Sequence, residues 1–164
     1  HYSRRYVLGV KMEFSYEKVT HQDLDVILKL GEAVNDKHVV PLLNSEGQKA
    51  IKMAFKSDID KVKDASIYSA IKATIDNEII GYIAWRDESY IGHLYVKTEY
   101  HGFGVAKGLV EEMKAVSGAK LISVKASIYA LGFYKKVGFK PVSEELSLNG
   151  IRYVPMVLNV QQRT

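Results

Sequence analysis

The pattern of hydrophobic and polar positions changes its period at Gly104. Several short runs before this residue alternate apolar and polar side chains, a period of two that is typical of half-buried strands. Directly after it, the apolar residues Val105, Leu109, Val110, Met113 and Val116 recur about every 3.6 positions, which is typical of an amphipathic helix. The chain therefore combines strands and helices, and a glycine marks one transition between them.

The periodicities along the whole chain predict the element order β-α-α-β-β-β-α-β-α-β-β. Asp76-Asn77 and Asn149-Gly150 are turn sequences that predict antiparallel hairpins. Because hairpins come first and strand-helix-strand units follow, we expect a mixed α/β sheet with helices on its faces. Strands are predicted over residues 14–19, 65–74, 78–86, 90–96, 121–127, 139–148 and 151–160, and helices over 24–30, 49–55, 105–117 and within 129–139.

Local signals mark where three of these helices begin or end. Thr20, with Asp23 three residues later, is a capping box ahead of the first helix, and Ser45 with Gln48 repeats the pattern ahead of the second. Gly118 is expected to end the third helix, because glycine adopts the left-handed conformation of a helix C-terminus without strain.

Length and charge indicate one globular domain without a basic face. The chain has 164 residues, of which 47% are hydrophobic, enough for a single core. Its net charge of +4 comes largely from residues 1–11, which contain Arg4, Arg5 and Lys11 and no acidic residue. We interpret this segment as a tag or an N-terminal extension ahead of a single domain over 12–164. Because the other lysines are scattered among acidic residues, no nucleic-acid partner is indicated.

The absence of cysteine narrows the possible chemistry. It excludes disulfides, thiolate metal sites and a cysteine nucleophile, and it agrees with a reducing compartment. The chain has no run of about 18 or more apolar residues and no signal-peptide pattern at its N-terminus. We therefore expect a cytoplasmic protein that uses no metal and does not bind a membrane.

Two glycines one residue apart, Gly102 and Gly104, stand directly before the third helix. Bare backbone at a helix N-terminus lets an anion approach the free N–H groups there. The dinucleotide-binding pattern G-x-G-x-x-G fails because Lys107 occupies its third glycine position, and the pattern G-x-x-x-x-G-K-S/T does not occur. A plain tight turn is the simpler explanation for the two glycines alone.

Three motifs follow one another in a fixed order around the two glycines. Leu94-Tyr95-Val96 has the form L-x-V, residues 101–106 correspond to Q/R-x-x-G-x-G/A, and residues 130–139 have the form A-x-x-F-Y-x-x-x-G-F. Together these motifs resemble those of the GCN5-related N-acetyltransferase (GNAT) family. The resemblance covers residues 79–158. It implies a central mixed, mostly antiparallel twisted sheet of six to seven strands, flanked by about four helices.

The resemblance also implies acetyl-CoA as the co-substrate, with its pyrophosphate on the backbone N–H groups of residues 102–106. His101 departs from the usual glutamine or arginine. Because histidine is only partly charged near neutral pH, we expect cofactor binding that is weaker or pH-dependent. The family motifs assign cofactor contacts to Leu94, Tyr95, Val96, His101, Gly102, Phe103, Gly104, Val105, Ala106, Ser127 and Tyr134.

For catalysis, the resemblance implies direct transfer of the acetyl group to a primary amine of a small molecule or a peptide. A backbone N–H of the strand at Leu94 to Val96 would polarise the thioester carbonyl. Tyr134 is the expected acid that returns a proton to the CoA thiolate. Two alternatives stay open for the catalytic base: Glu88, in the turn before this strand, and His93, on the strand itself.

Two other function classes fit parts of the sequence. A non-catalytic acyl-CoA-binding sensor or regulatory domain would keep the anion loop without needing Tyr134, whereas a nucleic-acid binder would depend on the basic residues 1–11. No motif identifies the acceptor amine. The expected sheet is also compatible with a homodimer formed through exposed strand edges.

Overall fold

The structure is a computed structural model that describes residues 2–7 and 10–160, with side chains from residue 12 onward. Short 3-10 or π-helical turns occupy His21–Asp23, Asn35–Val39, Val40–Leu42 and Thr98–Tyr100. The regular elements are β1 (Tyr2–Val7), β2 (Val10–Lys18), α1 (Leu24–Val34), α2 (Ser45–Val62), β3 (Ser69–Ile75), β4 (Glu78–Arg86), β5 (Tyr90–Val96), α3 (Val105–Ser117), β6 (Leu121–Ser127), α4 (Leu131–Lys136), β7 (Lys140–Pro141), β8 (Leu146–Leu148) and β9 (Ile151–Asn159).

The strands form one sheet in the order β1-β2-β3-β4-β5-β6-β9-β7, and β8 pairs with β9. Among the described strands, β5 and β6 run parallel, while the other neighbouring pairs run antiparallel. The predicted fold class, a mixed and mostly antiparallel sheet with helices on its faces, is confirmed. Within the described ranges, none of the helices is long and apolar enough to cross a membrane.

Over residues 2–7 and 10–160 the sheet has nine strands, more than the six to seven expected. The predicted strand over residues 139–148 is divided into β7 and β8 by a bend at residues 142–145. The other additional strand, β1, lies in the segment interpreted as an extension and pairs antiparallel with β2. The origin of residues 1–11 stays a prediction.

Several local signals are confirmed. The hairpin turn before β4 has both Asp76 and Asn77 at positive φ, and Gly118 ends α3 in the left-handed conformation with a φ of 62°. Thr20 and Asp23 form the predicted capping box, with the Thr20 N–H donating to Asp23 Oδ2 over 2.8 Å, although it opens a 3-10 turn that continues into α1.

The predicted capping box of Ser45 and Gln48 is wrong by one residue. The N-cap of α2 is Asn44, whose Oδ1 accepts a hydrogen bond from the Gly47 N–H over 2.8 Å. Asparagine caps a helix at least as well as serine, so Ser45 becomes the first residue of the helix. Gln48 instead donates from Nε2 to the Leu43 carbonyl.

Buried side chains form two clusters, one on each face of the sheet. The larger cluster packs α3 and α4 against one face and includes Leu109 and Met113, which are fully buried. The smaller one packs α1 and α2 against the opposite face and includes Ile27, Phe55 and Tyr82. The helices α1 and α2 are thereby held on one face of the sheet, and α3 and α4 on the other.

A β-bulge in β5 reverses which face its side chains meet. Ile91 pairs with Trp85 and His93 pairs with Ala84, so Gly92 is an extra residue without a partner of its own on β4. Ile91 therefore belongs to the α3 side of the sheet, whereas His93 turns toward α1 and α2. The bulge decides the environment of His93.

The close contact between α2 and the β8–β9 turn gives a testable stability effect. A Cβ at Gly47 would lie 2.1 Å from the Gly150 carbonyl oxygen, a backbone atom that cannot turn away. We expect Gly47→Ala to lower the free energy of unfolding by about 1–3 kcal/mol, measured by urea denaturation. Gly132→Ala in α4 is the matched control, because a Cβ there has no atom within 4 Å. It should stabilise the protein by at most about 1 kcal/mol. Equal effects of the two substitutions would contradict this account.

Candidate active site

The candidate site is a cavity of about 550 Å³ that opens where β5 and β6 part. The two strands pair only at Tyr90 with Ser123 and at Ile91 with Val124, and then diverge. The cavity reaches both faces of the sheet, because its walls include residues from α1 as well as from α3 and α4. It is lined by Val34, Val39, Leu94, Tyr95, Val96, Tyr100, His101, Gly102, Gly104, Val105, Ala106, Lys107, Ser127, Tyr129, Ala130, Phe133, Tyr134, Lys136 and Val137.

The β5 wall presents backbone amides to this opening. The Lys97 N–H donates to the Ile80 carbonyl on β4 over 2.8 Å. Since the amides of successive residues in a strand point to opposite edges, those of Leu94 and Val96 point away from β4 and toward the opening. The Val96 carbonyl on this edge accepts a hydrogen bond from His101 Nε2 over 2.7 Å. One edge of a central strand is thus available to a ligand.

The N-terminus of α3 forms a second wall with an excess of hydrogen-bond donors. Gly102 and Gly104 both have positive φ, 86° and 80°, and Gly104 is the N-cap of the helix. The N–H groups of the first helical turn have no acceptor within the helix, and Lys107 brings a positive charge to the same wall. A Cβ at Gly102 would meet no atom within 4 Å, so the loop leaves open space at its surface. This arrangement suits a phosphate-bearing ligand.

Tyr134 lies on the α4 wall with its ring in the core. It is 4% exposed, and its ring contacts Phe133 and Phe139 edge-on. Burial raises the pKa of the Tyr134 hydroxyl well above its ordinary value, and the nearby Tyr95 and Tyr90 raise it further. The hydroxyl is therefore protonated across the physiological range and acts as a hydrogen-bond donor.

Tyr95 faces Tyr134 from the β5 side of the cavity. Its ring packs against Phe55, Tyr82 and His93, with ring centroids about 6 Å apart. Burial raises the pKa of the Tyr95 hydroxyl, and the charge of Asp58 adds to the effect. Two protonated phenols thus come together at the cavity.

The structure does not bring His93 into the cavity. The imidazole is 3% exposed, its Nδ1 hydrogen-bonds Tyr82 Oη over 2.9 Å, and its Nε2 hydrogen-bonds Asp58 Oδ2 over 2.7 Å. The bulge at Gly92 turns the ring into the α1 and α2 cluster. Because both ring nitrogens have partners inside the protein, neither is free to accept a proton from a substrate in the cavity.

Glu88 is also remote from the cavity. It is exposed in the turn between β4 and β5 with a φ of 70°. Leu94 follows six residues later along an extended strand, which corresponds to about 20 Å. Neither of the two residues considered as a base meets the ligand-binding walls.

His101 takes part in an aromatic cluster at the edge of the cavity. Because the Val96 carbonyl can only accept, His101 Nε2 is the donor in that bond, and Nδ1 faces Tyr129 Oη at 3.2 Å. His38 stacks on the Tyr129 ring with centroids 4.7 Å apart and hydrogen-bonds Thr98 through Nε2. Burial lowers the pKa of His38, and His101 and Lys37 lower it further.

The two remaining predicted contact residues differ in position. Ser127 lines the cavity at the end of β6, and its Oγ accepts a hydrogen bond from the Ala130 N–H at the start of α4. Phe103 is not among the lining residues and packs against the main core cluster. Of the predicted cofactor contacts, all except Phe103 are brought together around one cavity.

Sequence reasoning missed several lining residues. Lys107 directly follows the loop motif and Lys136 lies inside the third motif, so their positive charge near the predicted anion loop was a signal that the sequence offered. Tyr129 stands directly before the third motif. Val34 and Val39 come from the end of α1 and the turn after it, and no sequence pattern relates this segment to β5.

The fold is shared with solved acetyltransferase structures. The structure of a GCN5-related N-acetyltransferase from Rhodopseudomonas palustris has a TM-score of 0.74 and 21% identity, covering 89% of this chain and 95% of that one. PaiA N-acetyltransferase from Thermoplasma acidophilum, solved in complex with coenzyme A, has a TM-score of 0.70 and 18% identity over 90% and 99% of the two chains. Aminoglycoside 6'-acetyltransferase type Ii has a TM-score of 0.64 and 15% identity over 92% and 99%.

Sequence comparison gives the family. No curated protein matches the chain significantly. A family model described as an acetyltransferase (GNAT) domain matches residues 39–160, which contain α2 to α4, β3 to β9 and nearly the whole cavity lining. The chain therefore belongs to the GNAT family of acetyltransferases.

Proposed function

We propose that this GNAT acetyltransferase transfers the acetyl group of acetyl-CoA directly to a primary amine of a small molecule or a peptide. The observation that carries the proposal is the cavity between β5 and β6, with strand amides on one wall and the N-terminus of α3 on the other. The similar PaiA N-acetyltransferase structure contains coenzyme A, which supports the choice of co-substrate.

In this proposal the α3 wall holds the pyrophosphate. The backbone N–H groups of residues 102–106 donate to the phosphate oxygens, and the left-handed Gly102 and Gly104 allow the close approach that this requires. Lys107 and Lys136 line the same cavity and supply positive charge. The pantetheine arm would then extend along the free edge of β5.

The amides of Leu94 and Val96 are our candidates for polarising the thioester carbonyl. A fixed N–H that points at the carbonyl oxygen stabilises the negative charge that develops there as the amine attacks. The strand is held rigidly by β4 on its other edge, so the donor needs no reorganisation during the reaction.

Two protons leave the amine nitrogen during the reaction. An alkylammonium with a pKa of about 10.4 must first lose one proton before its nitrogen can attack the carbonyl carbon. The C–N bond then forms and the C–S bond breaks, and the second nitrogen proton is transferred to the CoA sulfur. Since the described residues that line the cavity include no aspartate or glutamate, we assign the first proton to water in the cavity.

Tyr134 is our candidate for stabilising the departing CoA thiolate. Because its pKa is raised, the Tyr134 hydroxyl keeps its proton and interacts with the thiolate as a hydrogen-bond donor. A thiolate is a weaker base than a buried phenolate and does not remove that proton. The hydroxyl therefore stabilises the sulfur anion until a proton arrives from the new amide nitrogen. This revises the sequence-based expectation of a simple acid.

Replacement of Gly104 should weaken acetyl-CoA binding. A valine there strains the left-handed N-cap and places a side chain where the pyrophosphate would lie, so we expect at least a tenfold rise in Kd by isothermal titration. Gly118→Val is the matched control, because Gly118 ends the same helix with positive φ and open space around its Cβ. It should cost similar stability while leaving Kd unchanged. Equal losses of affinity in both variants would contradict the assigned anion site.

Replacement of Tyr134 should separate catalysis from binding. We expect Tyr134→Phe to reduce kcat by about 10–100-fold, because one hydrogen bond to a charged group is lost, while Kd for acetyl-CoA stays within about twofold. Release of CoA thiol in the presence of a panel of primary amines measures kcat. Tyr100→Phe, at another cavity-lining tyrosine, is the control and should keep the wild-type rate. An unchanged rate in Tyr134→Phe would rule out this role for the hydroxyl.

A further inference from the structure

A polar cluster lies beneath α2, on the face of the sheet opposite α3. Asp58 Oδ2 accepts hydrogen bonds from His93 Nε2 over 2.7 Å and from the Tyr68 hydroxyl over 2.8 Å. His93 in turn contacts Tyr82, which is fully buried. The proposed reaction does not use this cluster.

The second carboxylate oxygen of Asp58 is available. Both hydrogen bonds end on Oδ2, and Oδ1 has no hydrogen-bond or ion-pair partner within the described ranges. The Asp58 side chain is 21% exposed, whereas His93 beneath it is 3% exposed. The cluster is therefore closed on its inner side and open at the carboxylate.

Asp58 carries its negative charge in this setting. Burial pushes the pKa of Asp58 upward, but the hydrogen bonds from His93 and Tyr68 outweigh it and hold the pKa below its ordinary value. The charges of His93 and Lys61 act in the same direction. An ionised carboxylate with one unpaired oxygen is a strong acceptor for a cation.

The cluster is next to the point where β5 and β6 part. The Tyr68 hydroxyl lies over the bulge at Gly92, where an added Cβ would be 2.2 Å away. Gly92 follows Ile91, the last residue of β5 that pairs with β6. His93 then immediately precedes Leu94, whose amide faces the opening.

The charge of Asp58 also reaches the aromatic groups around the cavity. Burial raises the pKa of Tyr95, which lines the cavity, and that of Tyr90, and the charge of Asp58 adds to both increases, although Arg86 opposes the increase at Tyr90. The carboxylate therefore acts electrostatically on the end of the cavity where the thioester would lie.

We propose that Asp58 binds the ammonium group of the acceptor amine beside the parting of β5 and β6. His93 and Tyr68 are positioning residues that hold one oxygen of the carboxylate, so that the other faces the incoming cation. The inference rests on the proposed acetyl transfer and assigns the residue that recognises its acceptor.

The test compares charged and uncharged amines. Benzylamine, spermidine and the side chain of a lysine peptide are alkylammonium acceptors, whereas aniline and p-anisidine are uncharged at pH 7.5. CoA release is followed for wild type, Asp58→Asn and Asp58→Glu. Asp60→Asn is the matched control, because Asp60 is exposed on the same helix. Thermal unfolding and titration with acetyl-CoA show whether each variant folds and binds the co-substrate.

We expect the wild type to prefer alkylammonium acceptors. Asp58→Asn should lower kcat/KM for them by about 10–100-fold, mainly through KM, because a charge-assisted hydrogen bond is lost. Asp58→Glu should recover part of this loss, while Asp60→Asn and the affinity of all variants for acetyl-CoA should not change.

Three outcomes would overturn the inference. If KM for alkylammonium acceptors is unchanged in Asp58→Asn, Asp58 has only a structural role. The same follows if kcat/KM falls equally for charged and uncharged amines. A wild type that acetylates arylamines alone would exclude an ammonium site. A wild type that binds acetyl-CoA but acetylates none of the amines would instead overturn the proposed transfer itself, and the acceptor site with it.

Discussion

The loss of pairing between β5 and β6 after two residue pairs is the constraint on which the rest of the site depends. A parallel pair that continued would use the amides of β5 for the sheet and leave no space between the strands. Because pairing ends, one edge of a central strand is free while β4 holds the other edge in place. The ligand-binding groups are therefore rigid backbone, and the cavity passes through the sheet.

The elements around this opening each supply a different kind of interaction. The N-terminus of α3 supplies N–H groups of its first turn, which have no acceptor within the helix, and the left-handed Gly104 stands at its N-cap. The α4 wall supplies the buried hydroxyl of Tyr134. The opposite face, covered by α1 and α2, supplies the carboxylate of Asp58 close to the same parting of strands. In our account the co-substrate and the acceptor meet there from different sides of β5.

Much of the cavity could be predicted because its residues are local in sequence. The change of period at Gly104, the glycines before the helix and the order of strand, loop and short helix motifs are all contained within short segments. The turn at Asp76-Asn77 and the end of α3 at Gly118 follow from the conformations that these residues tolerate.

Features that depend on contacts between distant segments could not be predicted. The environment of His93 is set by a bulge at Gly92 and by Asp58 from α2, which lies 35 residues earlier in the chain. Likewise, the end of α1 reaches the cavity only through packing against β5. From the sequence alone His93 was a reasonable candidate base. The structure argues against this role, because both ring nitrogens of His93 are hydrogen-bonded inside the protein.

The most direct test of the central claim is a titration of ¹⁵N-labelled protein with coenzyme A, followed by amide chemical shifts. The account predicts the largest shift changes at residues 94–96 and 102–107, on the two walls of the opening, with smaller changes along α4. Saturable changes confined to another surface, with these amides unaffected, would contradict the claim that the parted strands form the co-substrate site.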